Sequence, residues 1–296
     1  MTSAESASAI RVMLVGGHES HDGADLLRIA QRVEGGIATS PGRKFHNTVS
    51  AALEADETVV AIPMTFGRNP TMVADAAKTL KWLAAKHPGR VVLAPSFGQL
   101  DHLTAWLRTA ANRATATDPA TALLIVAPPS NPFDEAELHR IAYLVATNSA
   151  LTETGVAIAD DETKLAASVE RLHRIGAARV VTVPAGFAAS LPPSDAEYSG
   201  PLMSDAAILR VVRTRIRDAI SALEAGHDGI DDGLMADHGH GYAHSHAFEE
   251  SQADDAREGD RQHGHSHAHG RGHAHPHAHD REHTHTHSEA HTHHHH

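Results

Sequence analysis

The sequence predicts an α/β protein of two similar halves, each a doubly wound parallel sheet, followed by a disordered, histidine-rich C-terminal tail. Three observations carry this expectation. Short runs of Val, Ile, Leu and Ala alternate with amphipathic helical stretches, the series of runs is read twice along the chain, and after Ala225 the aliphatic residues give way to Gly, Asp and His. Aromatic residues make up only 4% of the 296-residue chain. A core built from Ala, Val, Leu and Ile suits helices packed on buried parallel strands.

In chain order, residues 1–9 are small and polar and read as a disordered N-terminus. They carry no basic segment followed by an apolar one, so no signal peptide is expected. The first half, residues 10–118, opens with a strand at Arg11–Val15 that runs into Gly16-Gly17-His18-Glu19-Ser20. A helix over Gly23–Val33 follows, then a buried strand from Thr58 closed by Pro63-Met64-Thr65-Phe66. A third strand at Arg90–Ala94 precedes a helix containing Leu107-Arg108-Thr109. The second half, residues 119–225, repeats the plan. A strand at Ala122–Ala127 runs into Pro128-Pro129-Ser130-Asn131, a helix covers Asp134–Asn148, and Arg179–Phe187 echoes the Pro-x-x-Phe strand. Tyr198–Met203 fills the slot of the third strand, and Ala206–Leu223 forms the last helix. Three strand–helix pairs per half imply right-handed crossovers, with ligands beyond the carboxyl ends of the strands.

The tail, residues 226–296, alternates His with small residues: His263-Gly-His265-Ser-His267-Ala-His269, His273-Ala-His275-Pro-His277, His283-Thr-His285-Thr-His287. It has too little apolar surface to offset the entropy of ordering, but dense imidazoles chelate transition metals. His265, His267, His269, His275, His277, His285 and His287 are its candidate ligands, with Ni2+ and Zn2+ as further candidate ions. The terminal His run is compatible with a purification tag. A flexible tether of about 70 residues reaches roughly 45–50 Å, which suits either delivery of metal to the body or storage.

Composition excludes several classes. With no cysteine there is no disulfide, thiolate metal site, iron–sulfur cluster or Cys nucleophile. Residues 1–225 hold 21 Lys+Arg against 24 Asp+Glu, and the rest hold 4 against 13, so the balances of −3 and −9 make up the net −12. A near-neutral body with an acidic tail is no nucleic-acid footprint. No apolar run is long enough for a membrane span, so a cytoplasmic monomer or homodimer is expected. Ser20 and Ser130 lack the Gly-x-Ser-x-Gly elbow of a hydrolase.

The order of motifs resembles the class II tetrapyrrole chelatases, the sirohydrochlorin cobaltochelatases of CbiX type and their SirB-type ferrochelatase relatives. The resemblance rests on Leu14-Val-Gly-Gly-His18-Glu-Ser20, Val59-Val-Ala-Ile-Pro-Met-Thr-Phe-Gly67-Arg68, Leu93-Ala-Pro-Ser-Phe-Gly98 and Leu172-His-Arg-Ile-Gly176, and covers about residues 10–222. It implies a metal chelatase of the lyase class. Such an enzyme inserts Co2+, with Fe2+ as runner-up, into sirohydrochlorin for cobalamin or sirohaem synthesis, with no organic cofactor. The alternative is a non-catalytic metallochaperone, metal store or tetrapyrrole carrier.

On this resemblance His18 is the catalytic, metal-holding residue, because a neutral imidazole can hold a divalent ion, release it and accept a pyrrole proton. Ser20, Arg43, Lys44, Arg68 and Asn69 are the candidate substrate contacts, the cations meeting the carboxylates of sirohydrochlorin. The family places a second His directly after the Gly-Arg turn; here Asn69 stands there. A second ligand is therefore sought among His21, His46, His102 and Glu19, or in the tail. Residues 18 and 69, at the carboxyl ends of two strands, are expected to face one cleft.

Overall fold

The computed structural model describes residues 9–237 except Pro119 and Thr152, all within one compact unit. The first half places β1 (Ile10–Gly16), β2 (Gly36–Thr39), β3 (Thr58–Met64) and β4 (Val91–Leu93) in one parallel sheet of order β2-β1-β3-β4. Between them run α1 (Leu27–Ala30), α2 (Arg43–Glu54) and α3 (Pro70–Ala84), and α4 (Leu100–Thr117) closes the half. The second half repeats the order as β6-β5-β7-β8, with β5 (Thr121–Ala127), β6 (Glu153–Ile158), β7 (Arg179–Pro184) and β8 (Glu197–Tyr198). Its helices are α5 (Pro132–Ala146), α6 (Glu162–Arg174) and α7 (Asp205–Glu224), and α8 (Ile230–Leu234) follows.

The α/β duplication matches the expectation, with three corrections. Each sheet has four strands, not three, because β2 and β6 were not expected. The single helix over Gly23–Val33 is instead one 3-10 turn, Ala24–Leu26, and the four-residue α1, and α2 was not foreseen. The body also does not stop at Ala225. The Leu93 amide donates to the Asp228 carbonyl at 2.8 Å, and Ile230 is buried in the cluster that covers the outer face of the first sheet.

The sequence pattern explains the layers. Alternate residues of each strand enter different clusters: Met13, Val15, Val59 and Ala61 face α2 and α3, while Val12, Leu14, Val60 and Ile62 face inward. This is the period-2 rule for a strand buried on both sides. The inner faces of both sheets join one core together with α1, α4, α5 and α7. The closing helices cross over: α4 packs against β5, β7 and α5, and α7 against β3 and β4. The second sheet's outer face is covered by α6 and by Leu191 and Ala196 of the irregular β7–β8 connection, where the first half has α3. Pro63, next to last in β3, and Pro184, last in β7, lie past the last ladder partners of β4 and β8, so their missing N–H groups leave no ladder bond unmade there.

Candidate functional site

The carboxyl ends of β1 and β3 lie side by side, with Val15 opposite Pro63 and Gly16 opposite Met64. The chain leaves β1 through Gly16-Gly17 into a 3-10 turn, His18–Ser20, and leaves β3 through Thr65–Asn69 into α3. Gly17 is needed by close approach: a Cβ there would lie 2.2 Å from Asn69 Nδ2. Asn69 is the N-cap of α3. Its Oδ1 accepts the Met72 amide at 3.1 Å, with Pro70 at the first helical position. That cap turns the Asn69 NH2 group towards His18 Nδ1, 3.0 Å away. An amide nitrogen only donates, so Nδ1 is the accepting nitrogen and the ring proton belongs on Nε2.

Nε2 points across the junction between the halves, 2.8 Å from Asp134 Oδ2 in the first turn of α5. The contact is close but bent, and this buried nitrogen has no in-line hydrogen-bond partner. Asp134 is buried and takes two bonds from Arg68, Nε to Oδ1 at 3.0 Å and Nη2 to Oδ2 at 2.9 Å, with the Ser130 hydroxyl donating to Oδ2 at 2.5 Å. Arg68 also donates to the Ala185 carbonyl at 3.1 Å. Burial opposes charge on Asp134. The His18 contact, the Arg68 guanidinium and the Ser130 hydroxyl outweigh it and hold the carboxyl below the usual range. Asp134 therefore stays ionised.

Glu19 is buried, and burial pushes its carboxyl up, against the opposing pull of Arg68, His18, Thr65 and the Phe66 amide. It accepts from the Thr65 hydroxyl and from the Phe66 amide, and its own carbonyl accepts the Phe187 amide at 2.9 Å. A Cβ on Gly186 would lie 2.3 Å from that carbonyl, so the two halves meet here backbone to backbone.

The structure brings His18 and Asn69 together, as the two-loop expectation requires. It does not bring the other sequence candidates to them. Ser20 is buried and donates to the Gly17 carbonyl at 3.2 Å, a turn-forming role. Arg43 and Lys44 are exposed at the start of α2 and take no part in the His18 network. Arg68 is 2% exposed and committed to Asp134, so it is not placed to meet a ligand carboxylate. Of the sought second ligands, His21 pairs with Asp25 at 2.6 Å, which raises its pKa. His46 lies against Trp82, His102 accepts the Gln99 amide in a capping box, and Glu19 faces Thr65 and Phe66. Among the described residues no three His, Asp or Glu side chains converge as a metal cage. The tail candidates His265, His267, His269, His275, His277, His285 and His287 lie outside the described residues, as do residues 1–8.

Asp134 is the site residue that sequence reasoning missed. The Asn131-Pro132 start signal placed an acid in the first turn of a helix at the carboxyl end of β5, but only the fold sets that turn against His18. Chemically, the junction sets one imidazole against one ionised carboxylate.

Among the described residues no helix is long and apolar enough to cross a membrane. No family model matches the chain, and no curated protein does. Among solved structures the chain is similar to SirB from Bacillus subtilis with Fe3+, at 12% identity and a TM-score of 0.45, over 74% of this chain and 99% of that one.

Proposed function

We propose that the protein is a tetrapyrrole metal chelatase that inserts a divalent ion into sirohydrochlorin, Co2+ in first place and Fe2+ as the runner-up. The observation that carries this reading is the meeting of His18 and Asn69 at the carboxyl ends of β1 and β3, with Asp134 facing the same imidazole from the second half. Positions 18 and 69 are those that the resemblance assigns to metal handling. In this reading the ring proton leaves His18 Nε2, which then holds the incoming ion beside Asp134. Insertion of a divalent ion releases two pyrrole protons, and the imidazole freed of metal can take one of them. Among the described residues no third His, Asp or Glu joins His18 and Asp134, an arrangement that suits transfer better than storage. The histidine-rich segment beyond residue 237 supplies the metal.

A specific observation favours a second reading, a non-catalytic metal or tetrapyrrole carrier. Only 15% of the His18 side chain is exposed, and both ring nitrogens face protein groups. One experiment separates the two: anaerobic absorbance of sirohydrochlorin with the protein and Co2+, Fe2+ or Ni2+. Turnover beyond one equivalent, lost in His18→Ala with an unchanged melting temperature, supports the chelatase. A spectral change that stops at one equivalent per chain supports the carrier.

A further inference from the structure

Away from His18, a cavity of about 440 Å3 opens between α4 and α7. It is lined by Phe66 and Phe97, buried at the ends of β3 and β4, with Trp106 from α4 and Val211 from α7. Phe66, Phe97 and Phe187 form a compact ring cluster with centroids 5.0–5.4 Å apart. Its polar lining is His102, Thr214 and two arginines, with no carboxylate among them. Arg210 and Arg215, one helical turn and a residue apart on α7, both line it. Arg215 reaches the Phe97 carbonyl only at 3.4 Å, and its Nε is buried without a hydrogen-bond partner. Arg210 is exposed and makes no ion pair among the described residues.

Buried guanidinium donors are normally satisfied, and an orphaned one marks a place where an acceptor is missing. Aromatic walls take a flat apolar body, and two arginines take carboxylates. The volume is that of a small-molecule site. We propose that this cavity binds the carboxylated edge of a planar conjugated anion. Its ring packs on Phe97 and Trp106, and its carboxylates meet Arg215 and Arg210. The identity of that anion as a tetrapyrrole rests on the chelatase reading. The same chemistry is shared by small aromatic carboxylates.

The test is a metal-free titration followed by tryptophan fluorescence. Trp82 is exposed on α3 and does not line the cavity, so Trp82→Phe leaves Trp106 as the reporter. Uroporphyrin I stands in for the macrocycle and 1-naphthoate for a small aromatic carboxylate. Saturable quenching by uroporphyrin is expected. Arg210→Gln with Arg215→Gln should weaken it about tenfold or more, the loss of at least one charged hydrogen bond. Val211→Phe, which fills the cavity and leaves both arginines in place, should weaken it too. Uroporphyrin binding that none of these variants changes would overturn the cavity while leaving the chelatase reading standing. Arginine-dependent binding without metal insertion would support the cavity and remove the chelatase. Saturable, arginine-dependent quenching by naphthoate alone would support the cavity and overturn the macrocycle as its ligand.

Discussion

The residue that decides how His18 behaves is Asn69. Its carbonyl oxygen is occupied by the α3 cap, so it offers His18 only a donor, and the imidazole must keep its proton on Nε2. A metal held on Nε2 needs the proton on Nδ1 instead. Asp at position 69 would resolve the conflict, because one carboxylate oxygen can cap α3 while the other accepts from Nδ1–H. Asn69→Asp should therefore tighten Co2+ binding by a chain ending at Asp237 about tenfold or more, the usual weight of a ligand's hydrogen-bond partner. Isothermal titration would show it, and equal affinities would mean that residue 69 does not set the tautomer. Glu19 gives a pH test in the metal-free protein. Its pKa is raised in the folded chain, so the native state takes up a proton there before the unfolded state does, and its contribution grows as pH falls. Wild type should gain stability relative to Glu19→Gln as pH falls through the raised folded pKa towards the ordinary carboxyl value of 4.5. Urea midpoints at several pH values check this, and a constant difference would place a normal carboxyl at that position. The place of His18 in the loop after β1 was legible from the apolar run and the Gly-Gly turn. Asp134 was not, because nothing local to α5 records a partner more than a hundred residues away.

At the scale of elements, the strands with continuous apolar runs were legible, and those with mixed faces were not. β2 is only four residues and β6 opens with the polar and small Glu153-Thr154-Gly155, whereas β1, β3, β5 and β7 are buried almost throughout. The helix α2 does carry a readable stripe, Phe45, Val49, Ala52 and Leu53, but no repeat marks it in the way the Pro-x-x-Phe loops mark their strands. The boundary after Ala225 failed for a different reason. Residues 226–237 look like tail by composition, yet Asp228 extends the hydrogen bonding at Leu93 and Ile230 fills the outer cluster. A Cβ at Gly233 would lie 2.3 Å from Leu93 Cδ2, so α8 sits close against the sheet edge. Ending the chain at Ala225 should thus lower the melting temperature clearly, while ending it at Asp237 should not. Ile230→Ala should cost about 2–5 kcal/mol, as for other buried Ile truncations. Differential scanning calorimetry on the three variants tests the boundary, and equal stability of the two truncations would return it to residue 225. The Asp237 truncation should also remove most of the metal equivalents bound per chain, since twenty of the 28 histidines follow it.

At the scale of the molecule, the duplicated halves are joined in ways that neither half reveals alone. The crossing of α4 and α7 merges the inner faces of both sheets into one core, so the apolar surface that each sheet must bury is supplied by the other half. Within that junction Arg68 from the β3 loop and Asp134 from α5 form a bidentate ion pair, with side chains 1% and 0% exposed. The sequence showed the duplication but not the crossing, because a helix pattern carries no record of which sheet it covers. Removing one partner of such a pair leaves a buried charge unopposed, which typically costs about 3–5 kcal/mol. Arg68→Met and Asp134→Leu should each destabilise the chain by that order, and Arg68→Met additionally leaves Asp134 with only His18 and the Ser130 hydroxyl. The double variant removes both charges and should be less destabilised than the sum of the two singles, with the difference measuring the pair. Because the core is shared, both halves should still unfold in one transition in every variant. Urea denaturation followed by far-ultraviolet circular dichroism and by Trp106 fluorescence, in a Trp82→Phe background, gives the cycle and the cooperativity together. Additive single losses would show that Arg68 and Asp134 act separately. Two separated transitions would show that the halves are not one folding unit, and the role of Asp134 at His18 would then be that of a neighbour and not of a tie between halves.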